Sequence, residues 1–247
     1  MFPRPPAEFL ARIYSPEYIK AHYADAFSPQ ADQTELLIAA AHAARLRPGG
    51  RLLDVGCGAG SFLAAALRSG LTCEGYEPDA AVASLAAAAA GCPVHHGALE
   101  GIAGPFDVIH LADVLEHLDE PAATLRTLVA LLAPEGFIIA RGPLEAHRSL
   151  FAFAMRIRRR ARALVRPTIS SVPPWHLTLF TLDGWHRLAH RAGLVVKEEV
   201  ISEKPWPDAA LRFDLKARIG RASLWVAESS LGKWLRIGNH VFSIWTR

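Results

Sequence analysis

The sequence predicts an α/β fold, a mostly parallel sheet with helices on both faces. Two observations carry that expectation. Short apolar runs alternate with helical runs from residue 35 to residue 140, the order that βαβ units produce. The first apolar run ends in a glycine-rich turn, Gly56-Cys57-Gly58-Ala59-Gly60, which opens the next helix.

Glu35–Leu46 reads as a helix, with apolar residues at Leu36, Leu37, Ala40, Ala41 and Ala44 and a stop at Pro48-Gly49-Gly50. Arg51–Val55 reads as a strand and Phe62–Leu67 as the helix beyond the glycines. The unit then repeats, with a strand at Thr72–Tyr76 and an alanine-rich helix at Ala80–Ala90 ending on Gly91. Strands are predicted at Val94–His96, Phe106–Leu111 and Gly136–Ala140, with a helix at Ala122–Leu132 between the last two. The tail reads as a helix at Leu182–Ala192, a strand at Leu194–Ile201 and a final strand at His240–Trp245. This divides the chain into an N-terminal helical segment, 1–47, and one domain, 48–247, with cap segments inserted at about 143–175 and 203–238.

With 247 residues, 51% of them hydrophobic and 21% charged, the chain has the composition of a globular domain rather than a disordered one. Its three cysteines, Cys57, Cys73 and Cys92, lack metal-ligand spacing and suit a reducing, cytoplasmic setting. The N-terminus has prolines and a glutamate where a signal peptide needs an apolar stretch, and no later run is long enough to span a membrane. The net charge of +3 is local in origin. From Ala146 to Leu182 there is no Asp or Glu, while Arg148, Arg156, Arg158, Arg159, Arg160, Arg162 and Arg166 add seven positive charges. That clustering argues against a general nucleic-acid partner.

Asp54-Val55-Gly56-Cys57-Gly58-Ala59-Gly60 lies where the first strand meets the first helix. Glycines there let the backbone turn sharply and approach a ligand, and a strand-end carboxylate can meet a positively charged amine. Glu77 ends the second strand, 23 residues beyond Asp54, where an acidic side chain can accept from both hydroxyls of a ribose. These features alone would also suit a nicotinamide dinucleotide, but the glycine spacing departs from G-x-G-x-x-G. Ser61 stands three residues after Gly58 and the third glycine comes one position early. Other readings of the same residues are a helix-start carboxylate for Asp54 and a turn residue before Pro78 for Glu77; Cys57 reads as a small filler.

Five blocks in order, LLDVGCGAG (52–60), GYEPD (75–79), FDVIHLADVLEHLDEP (106–121), LLAPEGFII (131–139) and HLTLFTLDGWHRLAHRAGL (176–194), resemble the class I S-adenosylmethionine-dependent methyltransferases, in particular their ubiquinone-pathway O-methyltransferase branch. The likeness runs from about Tyr18 to the C-terminus. It implies a Rossmann-like seven-stranded sheet with an antiparallel last strand and S-adenosylmethionine as cofactor. Gly56, Gly58 and Gly60, with Cys57 between them, would cradle the methionine moiety, and Glu77, followed by Pro78, would hold the ribose. The segment around Leu99 would face the adenine, and Leu111-Ala112 would lie near the cofactor amine. Many relatives have an acidic residue after the third strand; here Ala98 takes that place, leaving Glu100 or a backbone carbonyl for the adenine amino group. A non-catalytic cofactor-binding subunit or sensor is a second reading, and an NAD-dependent oxidoreductase a third that the glycine spacing disfavours.

In an open α/β sheet the ligand crevice lies at the carboxyl ends of the strands. If Asp113-Val114-Leu115-Glu116-His117 forms the first turn of a helix, Asp113, Glu116 and His117 share a face and could bind a divalent cation. The pattern is similar to the E-x-x-E-H metal motif of ubiquinone-pathway O-methyltransferases and small-RNA 2′-O-methyltransferases, with Asp113 replacing the first Glu. Acidic groups at a helix start are also favourable without any metal, so His117 is read as a pocket residue. His176, after the Val172-Pro173-Pro174-Trp175 loop, is the candidate base or acceptor contact on the other side; Trp175 could stack on an acceptor or cover the core. The expected acceptor is a small or lipid-linked metabolite methylated on oxygen, less readily on nitrogen or carbon. The Phe151–Arg166 stretch could recognise a phosphate or carboxylate, lie peripherally on an anionic membrane through Arg156–Arg166, contact a nucleic acid, or be a solvated helix face.

Overall fold

The computed structural model describes residues 34–154, 157, 176–204 and 215–247, with the side chains of 215–221 excepted. Its seven strands are β1 (Arg51–Val55), β2 (Thr72–Tyr76), β3 (Val94–His95), β4 (Phe106–Ala112), β5 (Leu132–Pro143), β6 (Val195–Ser202) and β7 (His240–Thr246). They form one sheet in the order β3-β2-β1-β4-β5-β7-β6. Every pairing from β3 to β5 is parallel, while β7 runs antiparallel to both β5 and β6. This is the Rossmann-like sheet that the resemblance implies. The carboxyl ends of β1, β2, β4 and β5 therefore share one edge.

The described helices are α1 (Thr34–Leu46), α2 (Ser61–Arg68), α3 (Ala80–Ala90), α4 (Pro121–Ala130), α5 (Leu182–Arg191), α6 (Leu215–Glu228) and α7 (Ser230–Trp234), with a further helical turn at 150–154. The period-two alternation of the strands sends neighbouring residues to opposite faces. Leu52, Val108 and Ile139 join Ala40, Ala43, Phe62 and Ala86 in the core under α1, α2 and α3. Leu53, Ile109 and Ile138 join Leu125, Leu128, Trp185 and Leu188 in the core under α4 and α5. Capping sets the helix starts: the Asp79 carboxylate accepts from Ala81 N and Val82 N, and Thr181 Oγ1 accepts from Gly184 N.

The fourth helix ends at Ala130, and β5 begins at Leu132 rather than at Gly136. Leu132 pairs with Phe106, but the next pairing is Val108 with Phe137, so residues between them bulge. A Cβ on Gly136 would lie 2.9 Å from Phe106 O, which explains a glycine at this close approach. The helical first turn expected after β4 is absent. Asp113 adopts a left-handed conformation at φ 55, and only a 3-10 turn, Leu115–His117, follows. Of the insert at 203–238, the described part forms α6 and α7. Arg156, Arg158, Arg159, Arg160, Arg162, Arg166 and Trp175 lie outside the described residues. Among those described, no helix is long and apolar enough to cross a membrane.

Candidate active site at the carboxyl edge of the sheet

The glycine loop starts where β1 ends, and all three glycines take positive φ, 70 at Gly56, 50 at Gly58 and 77 at Gly60. A Cβ at Gly56 would lie 2.7 Å from Val114 Cγ2, and one at Gly60 3.0 Å from Ala86 O. Both the backbone conformation and the space thus require glycine. Gly56 N and Cys57 N donate to Tyr76 O (2.7 and 3.1 Å), Gly60 N to Cys57 O (2.9 Å) and Gly58 N to Glu77 Oε2 (3.1 Å). The amides of Gly56, Cys57 and Gly60 thus have backbone acceptors and are not offered as an open nest for a pyrophosphate. The shape fits a cofactor without one, in agreement with the glycine spacing.

Glu77 is half-buried beside the loop, and burial raises its pKa against the lowering effect of the Gly58 and Asp79 amides. Asp54 is buried and its Oδ1 lies 2.7 Å from His110 Nδ1. Burial, followed by the nearby Asp54 and Glu77, pushes the Cys57 thiol far up, away from the thiolate that a nucleophile needs. Pro78 is exposed at the turn after Glu77, Leu99 is buried in the 3-10 turn Leu99–Gly101, and Leu111 and Ala112 close β4. Near the expected adenine side, the Tyr76 hydroxyl donates to Gly97 O at 2.8 Å, and Ala98 and Glu100 are exposed.

Beyond β4 the structure rearranges the expected trio. Asp113 does not converge with Glu116 and His117, because its left-handed backbone turns it to Arg141 Nη2 (3.0 Å) and His240 Nε2 (3.3 Å). His176 takes the third place instead. Glu116 O accepts from Leu177 N (2.7 Å) and Thr178 N (3.1 Å), bringing the 176–178 segment against the 3-10 turn. The His117 and His176 rings meet edge to face at 4.9 Å, and one ligand atom each from Glu116, His117 and His176 lie within 4.8 Å of one another.

Glu116 is fully buried, and among the described residues neither carboxyl oxygen has a hydrogen-bond partner. Burial and then Asp113 push its pKa up to about 8. His176 Nδ1 lies 2.8 Å from Glu145 Oε2; burial would lower the imidazole's pKa, but Glu145 and Glu116 outweigh it and raise it. Sequence reasoning missed Glu145 and His110. The first stands 31 residues from its partner and carries no local pattern. The second did leave a signal: a histidine inside the apolar run FDVIHLA.

A methyltransferase-domain family profile matches residues 30–199. The ubiquinone biosynthesis O-methyltransferase of a Caulobacter species is 36% identical over 115 residues, 42% of this chain and 44% of that protein. The enzyme of the same name from Methylocella silvestris is 28% identical over 180 residues, 60% of this chain and 69% of that protein. The chain thus spans somewhat under half the length of the first of these relatives. The magnesium protoporphyrin IX methyltransferase of Synechocystis, solved with bound SAH, superposes with a TM-score of 0.60 at 12% identity, covering 98% of this chain and 100% of that one. That likeness is one of fold.

Proposed function

The chain belongs to the methyltransferase-domain family as a class I S-adenosylmethionine-dependent methyltransferase, and from that premise we propose that it methylates an oxygen of a small or lipid-linked acceptor. The observation that carries the proposal is the Glu116, His117 and His176 cluster, which follows closely on Val114, the residue whose Cγ2 would stand 2.7 Å from a Cβ placed on Gly56 of the glycine loop.

S-adenosylmethionine supplies the electrophilic methyl group. Gly56, Gly58 and Gly60 leave room for its methionine end, Asp54 gives a counter-charge for its ammonium, and Glu77 can exchange the Gly58 amide for ribose hydroxyls. In-line transfer needs alignment first, and an oxygen acceptor also needs to lose a proton. A Glu145 carboxylate that accepts from His176 Nδ1–H leaves Nε2 as the basic nitrogen. His117 then lines the same space as a second imidazole.

A second reading gives the cluster a divalent cation, and the two unpartnered oxygens of the buried Glu116 favour it. One carboxylate and two imidazoles suit such an ion, which would lower the pKa of an acceptor hydroxyl. Incubation with ¹³C-methyl-labelled cofactor and separate small-metabolite and lipid extracts, read by mass spectrometry, tests both readings. A labelled O-methyl product is expected, and label on nitrogen or carbon alone would overturn the oxygen assignment. His176→Ala should lower turnover by about 10²- to 10⁴-fold with cofactor affinity unchanged. Loss of activity on chelation, restored by added metal, decides for the cation.

A further inference from the structure

The pair Asp54–His110 lies beneath the glycine loop, and only its first member belongs to the loop motif. The two residues stand opposite one another in register, Asp54 on β1 and His110 on β4. By alternation they share the sheet face of Leu52 and Val108, under α2. Asp54 is 3% exposed and His110 2%. A carboxylate in such surroundings is costly unless it is hydrogen-bonded, and His110 Nδ1 at 2.7 Å supplies the bond. An ionised carboxylate only accepts, so the proton of this bond is carried by Nδ1. The imidazole is itself fixed. It stacks on Phe62, with ring centroids 3.6 Å apart and planes 17° from parallel, and Phe62 is the second residue of α2, the helix that the loop opens.

We propose that His110 is a positioning residue of the cofactor site. Its Nδ1–H holds the Asp54 carboxylate in one orientation as the counter-charge for the ammonium group of the cofactor's methionine, while the stack on Phe62 keeps the imidazole from turning away. The inference rests on the cofactor reading above and adds to it a residue that works entirely through Asp54. It predicts a selective defect: a ligand with the amino-acid end feels the loss of His110, and a ligand without it does not.

Titration calorimetry with two probes separates this from a merely structural role. S-adenosylhomocysteine carries the ammonium; 5′-methylthioadenosine keeps the adenosine and the thioether but lacks it. His110→Phe, which preserves the stack but removes the donor, should weaken S-adenosylhomocysteine by about ten- to hundredfold, the range for a lost hydrogen bond to a charged group. Its affinity for 5′-methylthioadenosine should stay at the wild-type level. His110→Asn, whose amide can donate from the place of Nδ1, should rescue S-adenosylhomocysteine binding. Equal weakening of both probes, or of neither, overturns the proposal.

Should His110→Phe fail to fold, Asp54→Asn/His110→Phe removes the buried charge that needs a partner. That double variant should bind S-adenosylhomocysteine as Asp54→Asn alone does, and a further fall would show that His110 does not act through Asp54. A wild-type protein that binds neither probe sinks the cofactor reading itself, an outcome distinct from all of these.

Discussion

Glu77 holds the Gly58 amide in this structure, yet that bond ties together two segments that a nucleoside cofactor would also touch. Its carboxylate can trade one donor for the two hydroxyls of a ribose at little cost, which is why an acidic residue suits the end of β2. Glu77→Ala should therefore weaken S-adenosylmethionine by about 1–3 kcal/mol, measured by calorimetry. A change confined to thermal stability would leave Glu77 as a turn residue only. The places of Asp54, the glycines and Glu77 were legible in the sequence because each lies within a few residues of a strand end. The Glu116, His117 and His176 cluster was legible only in part. Glu116 and His117 are neighbours, but Asp113 was lost from their group by a backbone conformation that sequence spacing cannot encode. His176 reaches them through contacts to Glu116 O made across 61 and 62 residues.

At the scale of elements, the strands and helices with a clear period were readable to within a residue or two, and β5 was not. Its early start depends on the pairing of Leu132 with Phe106, a contact across the sheet rather than a local preference. Glu203, just beyond β6, is another link of this kind. Its buried carboxylate accepts from Ser149 Oγ and Phe151 N, both at 2.7 Å, and so fastens the helical turn at 150–154 to the end of β6. Burial raises its pKa even though those two donors lower it. The unfolded chain releases this proton near the ordinary carboxylate value, and the folded chain releases it at higher pH. Between the two the folded state binds more protons, so stability present at low pH is lost as pH rises through the folded value. Glu203→Gln removes that loss. The melting temperature of the variant relative to the wild type should therefore climb as pH is raised from about 4, the ordinary carboxylate value, into the neutral range. A difference that does not vary with pH would refute the assignment.

Over the whole molecule, parallel strands set the glycine loop, Glu77 and the Glu116–His117 turn along one edge of the sheet, and the α6–α7 segment between β6 and β7 adds a surface of another kind. Trp225 and Trp234 are 76% and 77% exposed, and Leu231, which shares a helix face with Trp234, is also exposed. The 147–153 segment adjoins α7 through His147 Nε2 to Arg236 O (2.9 Å) and Gly238 N to Arg148 O (2.8 Å), and it exposes Phe153 and Leu150. Tryptophans beside basic residues suit the boundary between headgroups and acyl chains. In sequence, the arginines of 148–166 follow directly, without an acidic residue to offset them.

For a lipid-linked acceptor such a surface would bring the enzyme to its substrate. Anionic liposomes should therefore co-sediment the protein and shift its tryptophan emission to the blue, while neutral liposomes should not. Replacing Arg156, Arg158, Arg159, Arg160 and Arg162 with Gln should weaken the co-sedimentation, since each basic residue near an anionic surface contributes about 1 kcal/mol. Raising the salt should act in the same direction, because exposed charges are screened over about 8 Å at physiological ionic strength. Trp225→Ala/Trp234→Ala should remove most of the blue shift. Cofactor affinity should not change in either variant, because the glycine loop, Asp54 and Glu77 lie at the carboxyl ends of β1 and β2 and not on this surface. Equal, weak binding to both kinds of liposome would assign the arginines to a solvated face and confine the acceptor to small soluble metabolites.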